Sequence, residues 1–320
     1  MVPPDLSVCI VNWNGAEYLR GCLESLILAG RHVRLETLVV DNASTDGSAE
    51  LVEKLFPDVL LVRNRRNLGF ARANNQAAEL AGGRHLLFLN NDTVVGEYSL
   101  RDLVRFLDTH PEVGLVGPRL IGRDGLPQRS YRYRPTPAAL MHRITLLRWT
   151  GLFRRSYEAY RRREFDPSQT RQVEVLLGAA VAMPREVFHQ HGGWDEGFPF
   201  GLEDFDLSTR VAATHQVVYL AGADILHFGK MSSRKNSGFA YTGVEAGYAR
   251  FLRKHYWSAE AVVAYKLLVL VDLPFAILSE SLKGLWRRLR HGAADPGRPH
   301  SEVWPMLWFA TVGQPIFWRT

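Results

Sequence analysis

The chain has 320 residues, of which 46% are hydrophobic and 22% charged, and its formal net charge is +6. These fractions are those of a soluble globular protein with room for one large domain or one domain with appendages. Its two cysteines, Cys9 and Cys22, lie in apolar patterns, so we predict two buried thiols. No disulfide framework or thiolate metal site is implied. The N-terminus shows no signal-peptide pattern, which makes a reducing cytoplasmic setting the expectation.

Strand-like and helix-like patterns alternate along roughly the first 121 residues. Apolar strands separated by helices predict a mostly parallel sheet with helices on both faces, which is an α/β nucleotide-binding type of core. Strands are predicted at residues 7–13, 35–41, 59–63, 85–90 and 113–118, and helices at 16–29, 48–56, 71–81 and 100–110.

The alternation stops near residue 122, and residues 123–171 are predicted to form an irregular insertion. This stretch carries twelve arginines against four acidic residues. Such charge suits nucleic acid, anionic lipid, a phosphorylated substrate or simply a solvated surface. A strand-like pattern at 173–183 then resumes the core. A helix from about Asp204 and a strand around 217–220 follow.

The C-terminal residues differ in composition from the rest. Residues 261–278 are almost entirely apolar, interrupted by Lys266, Asp272 and Pro274, and residues 283–290 are basic with Trp and Leu. This combination favours a helix lying in the headgroup region of an anionic membrane. The alternative is a helical pair packed on the domain or on a second subunit. We therefore predict a domain at 1–258 and a helical segment at 259–320.

Polar residues end the predicted strand at 85–90. Asn90 and Asp92 are two residues apart and would point the same way from the carboxyl end of this strand. Open α/β sheets bind ligands at that edge, and paired oxygens suit Mg²⁺. The alternative is an ordinary Asn/Asp turn. Three further polar segments mark the ends of strands at the same predicted edge, at residues 11–15, 39–48 and 67–75.

Two of these turns suggest specific contacts with a nucleotide. The Asp41 carboxylate can accept hydrogen bonds from a base or ribose, and Gly69 lets the backbone approach a ligand closely. A dinucleotide-binding dehydrogenase would need a Gly-x-Gly-x-x-Gly turn after the first strand, where this chain has Asn12-Trp13-Asn14-Gly15. A P-loop is also absent from the sequence.

Acidic and imidazole groups occur later in the chain. Glu203 and Asp204 fall where a helix begins, and a helix N-terminus favours the ionised carboxylate that a general base requires. Ordinary helix-start acidity is the alternative. His227 follows an apolar run; such a histidine is often structural, but together with Asp92 it would complete a Mg²⁺ or Mn²⁺ site.

Taken together, the segments from about Ser7 to His227 resemble family 2 glycosyltransferases with the GT-A fold, particularly a bacterial rhamnosyltransferase-like branch. The resemblance implies a nucleotide-sugar-binding α/β domain. It makes Asp204 the catalytic base beside Glu203, and Asp92 and His227 metal ligands. Asn90 stands where the acidic version of the metal motif has Asp. Nucleotide-sugar contacts are assigned to Val11, Asn12, Asn14, Asp41, Asn42, Ser44, Asn67, Gly69, Asn74 and Asn91, and acceptor contacts to Trp194, Arg129, Arg132 and Arg134.

The implied reaction is a single inverting displacement that uses Mg²⁺ or Mn²⁺. The branch points to dTDP-L-rhamnose as donor, with a UDP-hexose or UDP-N-acetylhexosamine as alternatives. A lipid-linked glycan acceptor at the inner face of the cell membrane would account for the basic insertion and the apolar C-terminal segment together. A nucleotidyltransferase would need a basic loop after the first strand, which is missing. A non-catalytic scaffold remains the rival, and nucleic-acid binding lacks a recognisable module.

Overall fold

The computed structural model describes residues 2–161, 165–229, 237–291 and 303–320, with side chains described as far as residue 286 in the third range. These residues fall into two compact units, which we call the first and second unit. The first comprises Met1–Arg134, Arg163–Glu196 and Glu203–Arg234, and the second Pro135–Arg162, Gly197–Leu202 and Lys235–Thr320. The boundary expected at residue 258 stays a prediction.

The N-terminal elements agree closely with the predicted alternation. They are β1 (Leu6–Asn12), α1 (Ala16–Ala29), β2 (Leu35–Asp41), α2 (Ser48–Leu55), β3 (Leu60–Arg63), α3 (Phe70–Leu80), β4 (His85–Asn90), β5 (Thr93–Val95), α4 (Ser99–Thr109) and β6 (Val113–Ile121).

The elements that follow are shorter and less regular. They are β7 (Pro127–Gln128), β8 (Tyr131–Arg132), α5 (Pro137–Met141), α6 (Thr145–Thr150), α7 (Arg154–Tyr160), β9 (Arg171–Gln172), β10 (Val175–Leu176), β11 (Ala180–Pro184), α8 (Arg185–Gln190), α9 (Glu203–Val211) and β12 (Gln216–His227).

The main sheet of the first unit has the strand order β3-β2-β1-β4-β11-β6-β12-β5, with β7 added beside β6 and β9 beside β12. Strands β1 to β4 are mutually parallel, and β12 is parallel to β6. Strand β11 runs antiparallel between β4 and β6. The predicted mostly parallel sheet is therefore confirmed.

Two predicted strands differ in detail from the structure. The stretch at 173–183 is not one strand, because it contains β10 and most of β11, which pair with different partners. Conversely, the strand predicted around 217–220 extends through Gly222 to His227 as the single strand β12. Its pairing register with β6 shifts between Leu220 and Asp224, where the strand is bulged.

Alternate residues of the central strands enter opposite faces of the sheet. Val8 and Ile10 belong to one buried cluster and Cys9 to the other, as the period of a strand requires. Both cysteines are free and buried, as predicted. Burial raises the pKa of the Cys22 thiol to about 12, which keeps it a packing group rather than a nucleophile.

The second unit contains α5–α7 together with α10 (Ser237–His255), α11 (Ala259–His291), α12 (Val303–Thr311) and α13 (Gln314–Arg319). The charges that interrupt the apolar run of α11 face into this unit: Asp272 accepts from the backbone N–H groups of Thr145 (2.7 Å) and Leu146 (2.8 Å). Lys266 is buried, with its Nζ 5.4 Å from the ring centroid of Phe317.

The solvent face of α11 is apolar over most of its length. Within the described chain it is the one helix long and apolar enough, by length and composition, to cross a membrane; an 18-residue window within Ala259–Trp286 has a mean hydropathy of 2.1 and is one-third buried. The exposed residues recur every three or four positions, so they share one side of the helix. This exposed stripe consists of Val263, Leu267, Val271, Phe275, Leu278, Leu282, Leu285 and Trp286.

Candidate active site at the carboxyl edge of the sheet

The ends of β1 and β2 meet in a buried polar network. The strand register places Asn12 opposite Asp41. Asn12 Nδ2 donates to Asp41 Oδ1 and to Ser44 Oγ, each at 3.2 Å, and the Ser44 backbone N–H donates to Asp41 Oδ2 at 3.0 Å. Both oxygens of the Asp41 carboxylate thus hold the loop together. Its predicted contact with a nucleoside would add to these bonds and stays a prediction.

The turn after β4 is tied to the turn after β1. Asn91 Nδ2 donates to Asn12 Oδ1 at 2.6 Å. A Cβ atom on Gly15 would lie 2.2 Å from Asn91 Nδ2, so only glycine allows this approach. Asn14 has a φ of 50°, and its Oδ1 accepts from the Thr45 backbone N–H at 2.8 Å. Three of the four predicted turns therefore form one connected rim.

The fourth turn is held by Asn42. Its Nδ2 donates to Asn67 Oδ1 (2.8 Å), and its Oδ1 accepts from the Leu68 backbone N–H (2.9 Å). Gly69 has a φ of +85°, and the position its Cβ would occupy has no neighbour within 4 Å, which leaves the backbone open to a ligand. Asn74 differs, since it is buried and donates to the Phe70 carbonyl. Its predicted nucleotide contact has no support among these bonds.

Asp92 and His227 come together although 135 positions separate them in the sequence. Strand β12 pairs with β5 so that His227 lies opposite Thr93, and the Phe228 N–H donates to the Asp92 carbonyl at 2.9 Å. His227 Nε2 lies 3.5 Å from Asp92 Oδ1. That nitrogen is buried and has no hydrogen-bond partner among the residues that the structure describes.

The other side of the His227 imidazole is held by Gln128, a residue that sequence reasoning missed. Gln128 Oε1 is 2.9 Å from His227 Nδ1, and Gln128 Nε2 donates to the His227 carbonyl at 2.9 Å. An amide oxygen only accepts, so this contact requires the proton on Nδ1; in the neutral imidazole the lone pair is then on Nε2, the nitrogen that faces Asp92. No local motif could reveal Gln128, because only the pairing of β7 with β6 brings it here.

The pair fits a divalent cation. An imidazole nitrogen with a free lone pair beside a carboxylate is a partial ligand set, and substrate phosphates and water commonly complete such sites. Within residues 2–161, 165–229, 237–291 and 303–320, no group of three or more His, Cys, Asp or Glu side chains could hold a metal. The Asn90 carbonyl accepts from Thr93 Oγ1 at 2.8 Å; ligation by its side chain stays a prediction.

Asp204 lies in the first turn of α9 with both carboxylate oxygens engaged. The Gly178 N–H donates to Oδ2 and the Phe205 N–H to Oδ1, each at 3.0 Å. Burial raises the pKa of this carboxyl, while the two backbone hydrogen bonds and the charge of Arg132 work against the rise. Glu203 beside it is buried. A carboxylate with a raised pKa is suited to take a proton near neutral pH.

The four residues proposed for acceptor contacts are differently placed. Trp194 is only 1% exposed and packs edge-on against Phe88 with ring centroids 5.1 Å apart, so its ring belongs to the core rather than to a binding surface. Arg132 is close enough to Asp204 to influence its pKa. Arg129 is half-buried and Arg134 is exposed; their contacts with an acceptor stay predictions.

Comparison with known proteins adds family information to this geometry. Residues 7–192 match the model of the family described as Glycosyl transferase family 2. The N-acetylglucosaminyl-diphospho-decaprenol L-rhamnosyltransferase of Mycobacterium tuberculosis is 30% identical over 236 residues, covering 69% of this chain and 75% of the relative. The O-antigen biosynthesis protein RfbC of Myxococcus xanthus is 29% identical over 73% of this chain, which spans 18% of that protein.

Two solved structures show the same fold. The mannosyltransferase PcManGT from Pyrobaculum calidifontis, in complex with GDP-Man and Mn²⁺, aligns with all of this chain and 86% of its own (TM-score 0.54, 19% identity). GalNAc-T7 with UDP, GalNAc and Mn²⁺ aligns over 80% of this chain, which spans about half (49%) of that protein (TM-score 0.56, 18% identity). The predicted GT-A fold is confirmed.

Proposed function

The chain belongs to glycosyl transferase family 2, and from this premise we propose that it moves a sugar from a nucleoside diphosphate to a glycan hydroxyl with inversion. In one displacement, the acceptor oxygen bonds to the anomeric carbon as the bond to the diphosphate oxygen breaks. The hydroxyl proton passes to a carboxylate of the protein. The electron pair of the broken bond leaves on the diphosphate.

The observation that carries this proposal is the Asp92–His227 pair with its unpartnered Nε2 atom. We assign these two side chains to Mg²⁺ or Mn²⁺, with Asn90 as a further candidate ligand. A bound divalent ion would supply Lewis-acid stabilisation of the leaving diphosphate. Gln128 would hold the imidazole in the required tautomer.

Asp204 is assigned the role of general base. Its raised pKa gives the carboxylate a greater affinity for the acceptor proton than an ordinary aspartate has. The N–H groups of Gly178 and Phe205 fix the orientation of the carboxylate before the reaction begins. Little conformational entropy of this side chain is therefore lost on reaching the transition state. Glu203 is proposed to support Asp204 rather than to replace it.

Donor and acceptor are proposed from the relatives. The mycobacterial relative is named for L-rhamnose transfer to N-acetylglucosaminyl-diphospho-decaprenol, which supports dTDP-L-rhamnose as donor and a lipid-linked glycan as acceptor. A UDP-hexose or UDP-N-acetylhexosamine is the alternative donor, since S. aureus TarS 1–349, a structure with a similar fold (TM-score 0.51, 16% identity), was crystallised in complex with UDP-GlcNAc. A role in cell-surface polysaccharide synthesis agrees with the relative named for O-antigen biosynthesis.

A donor panel tests this proposal. Calorimetric titration with dTDP-L-rhamnose, UDP-glucose, UDP-GlcNAc and GDP-mannose, with and without Mn²⁺, should give metal-dependent binding of one donor above the rest. NMR of the product formed from that donor should show an inverted anomeric configuration. Failure of all four donors to bind with Mn²⁺ present, or a product with retained configuration, would refute the proposed reaction.

We also propose that the enzyme works in the cytoplasm at the inner face of the cell membrane, with α11 lying on the bilayer. The exposed apolar stripe runs along the side of α11 opposite its buried charges Lys266 and Asp272. In the sequence, Lys283, Arg287, Arg288 and Arg290 follow the apolar run. Apolar burial together with attraction to anionic headgroups is the binding mode of interfacial helices.

Vesicle flotation should show this attachment directly. The full-length protein is expected to float with phosphatidylglycerol vesicles, and the double substitution Val271→Glu/Leu278→Glu should reduce the bound fraction about tenfold, because two charges on the stripe would enter the apolar layer. Leu126→Glu, at a 62% exposed leucine of the first unit, is the matched control. Equal flotation of all three proteins would show that the stripe is not the contact surface.

A further inference from the structure

A cavity of about 420 Å³ lies within the second unit, and its lining includes none of the residues assigned to catalysis above. Residues 142–161 of the insertion line one part of it, and α10, α11 and Met306 line the remainder. Its size is in the range of pockets that bind small molecules. The residues that matter for its chemistry are Arg143, Tyr241, Glu245, Tyr248, Tyr265 and Asp272.

Charged side chains in the lining of this cavity are already matched. Arg143 forms an ion pair with Glu245, and its guanidinium lies 4.0 Å from the ring centroid of Tyr248. Asp272 accepts from two backbone N–H groups of α6. Over the whole lining, Arg143, Arg148 and Arg161 balance Glu245, Asp272 and Glu280. This balance favours a neutral ligand over an anion.

Two tyrosine hydroxyls in the lining are available to a ligand. Tyr265 is 3% exposed and Tyr241 is half-buried, and neither hydroxyl forms a hydrogen bond to another described residue. Burial raises the pKa of both phenols well above the usual range, so both keep the proton that lets them donate. Neither hydroxyl oxygen is among the buried side-chain atoms without a hydrogen-bond partner, so both are reached from the cavity and can donate to a ligand there.

We propose that this cavity binds a pyranose ring of the glycan acceptor. A sugar is neutral, presents hydroxyls to Tyr241 and Tyr265, and offers C–H faces to the aromatic lining. The ionic pair of Arg143 and Glu245 borders the same space and supplies further polar atoms. The inference rests on the proposed glycan-directed transfer and gives that acceptor a site in the second unit.

The double substitution Tyr241→Phe/Tyr265→Phe tests the inference with little change in packing. Saturation-transfer NMR would be run with methyl α-L-rhamnoside, methyl β-N-acetylglucosaminide and methyl β-galactoside. At least one glycoside should give a signal with the unsubstituted protein that falls fivefold or more in the double variant. Tyr256→Phe, at an exposed tyrosine that does not line the cavity, should keep the full signal.

Several outcomes would overturn the inference. It fails if no glycoside binds, if binding survives in the double variant, or if inorganic phosphate displaces the bound glycoside, since phosphate would mark an anion site. The melting temperature of the double variant should change little, because the two substitutions remove no hydrogen bond between described residues. If the double variant melts at a lower temperature and also loses binding, the single variant Tyr265→Phe is measured instead. If that single variant is folded and still binds sugar, the cavity assignment is likewise refuted.

The donor titration keeps this inference separate from the proposed function. If a nucleotide sugar binds and is turned over while the glycosides do not bind, only the cavity assignment fails. If no nucleotide sugar binds but a glycoside occupies the cavity, the transfer reaction fails while the sugar site stands.

Discussion

Replacing Asp204 by Asn is expected to lower the transfer rate by about 10³-fold, within the range that general-base catalysis contributes. Asparagine keeps the size of the side chain and can still accept from one of the N–H groups of Gly178 and Phe205. It cannot take up the acceptor proton at neutral pH. Donor affinity should be unchanged because the base acts on the acceptor. Initial rates with a saturating donor, together with calorimetric donor affinities, measure both effects.

The pH dependence provides an independent check of this role. Burial raises the pKa of Asp204. As the pH falls, the rate of the unsubstituted enzyme should therefore begin to decline at a higher pH than it would with an ordinary aspartate, whose pKa is about 3.9. Protonated Asp204 stabilises the folded protein when the pH is below the pKa that this carboxyl has in the unfolded chain. This stabilisation is lost as the pH rises through the pKa that the carboxyl has in the folded protein. Asp204→Asn should therefore not lower the melting temperature at neutral pH.

Two further substitutions sharpen the result for Asp204. Glu203→Gln should reduce the rate less than Asp204→Asn does, and Asp102→Asn on α4 serves as the carboxylate-to-amide control. Nearly full activity of Asp204→Asn would remove it as the base, and a larger loss in Glu203→Gln would transfer the role to its neighbour.

Replacing Asp92 by Ala is expected to weaken metal-dependent donor binding by about 10²-fold or more, since it removes the carboxylate that lies 3.5 Å from His227 Nε2. Donor binding measured without metal should change little. Titration of Mn²⁺ followed by electron paramagnetic resonance gives a readout that does not depend on turnover. Asp124→Asn, in the exposed turn before β7, is the control.

Gln128→Ala should give a smaller loss of Mn²⁺ affinity, about tenfold, because it frees the His227 ring without removing a metal ligand. The loss of Mn²⁺ affinity should be largest in Asp92→Ala, smaller in Gln128→Ala and absent in Asp124→Asn. A metal site predicts this order, whereas a general loss of structure at the sheet edge does not. Unchanged Mn²⁺ affinity in both Asp92→Ala and Gln128→Ala would contradict the assignment.

The secondary structure was largely predictable because its signals are local. The bounds of α1, β2 and β4 coincide with the predicted ranges, since apolar periodicity and glycine or Asn/Asp stops lie within each segment. Polar turns after parallel strands were also expected at one edge, and the register of Asn12 against Asp41 agrees. Local pattern and topology were sufficient for these features.

Other features depended on contacts between distant residues. An apolar stretch around residue 180 does not reveal that β11 enters the sheet antiparallel between β4 and β6. Trp194 resembled a binding residue in its glycine-rich segment, yet packing against Phe88 places it in the core. The partner of His227, Gln128, lies 99 residues away in a two-residue strand.

By itself, the sequence determined the α/β class, the order of most elements and the residue types that line the sheet edge, because hydrophobic period and turn chemistry act over a few residues. Tertiary structure alone decided which of those residues meet. Strand pairing set the 3.5 Å approach of His227 Nε2 to Asp92, and burial raised the pKa of Asp204. Helix packing enclosed the cavity of the second unit. Distance, burial and tautomer arise only when the whole chain is folded, and the proposed chemistry depends on all three.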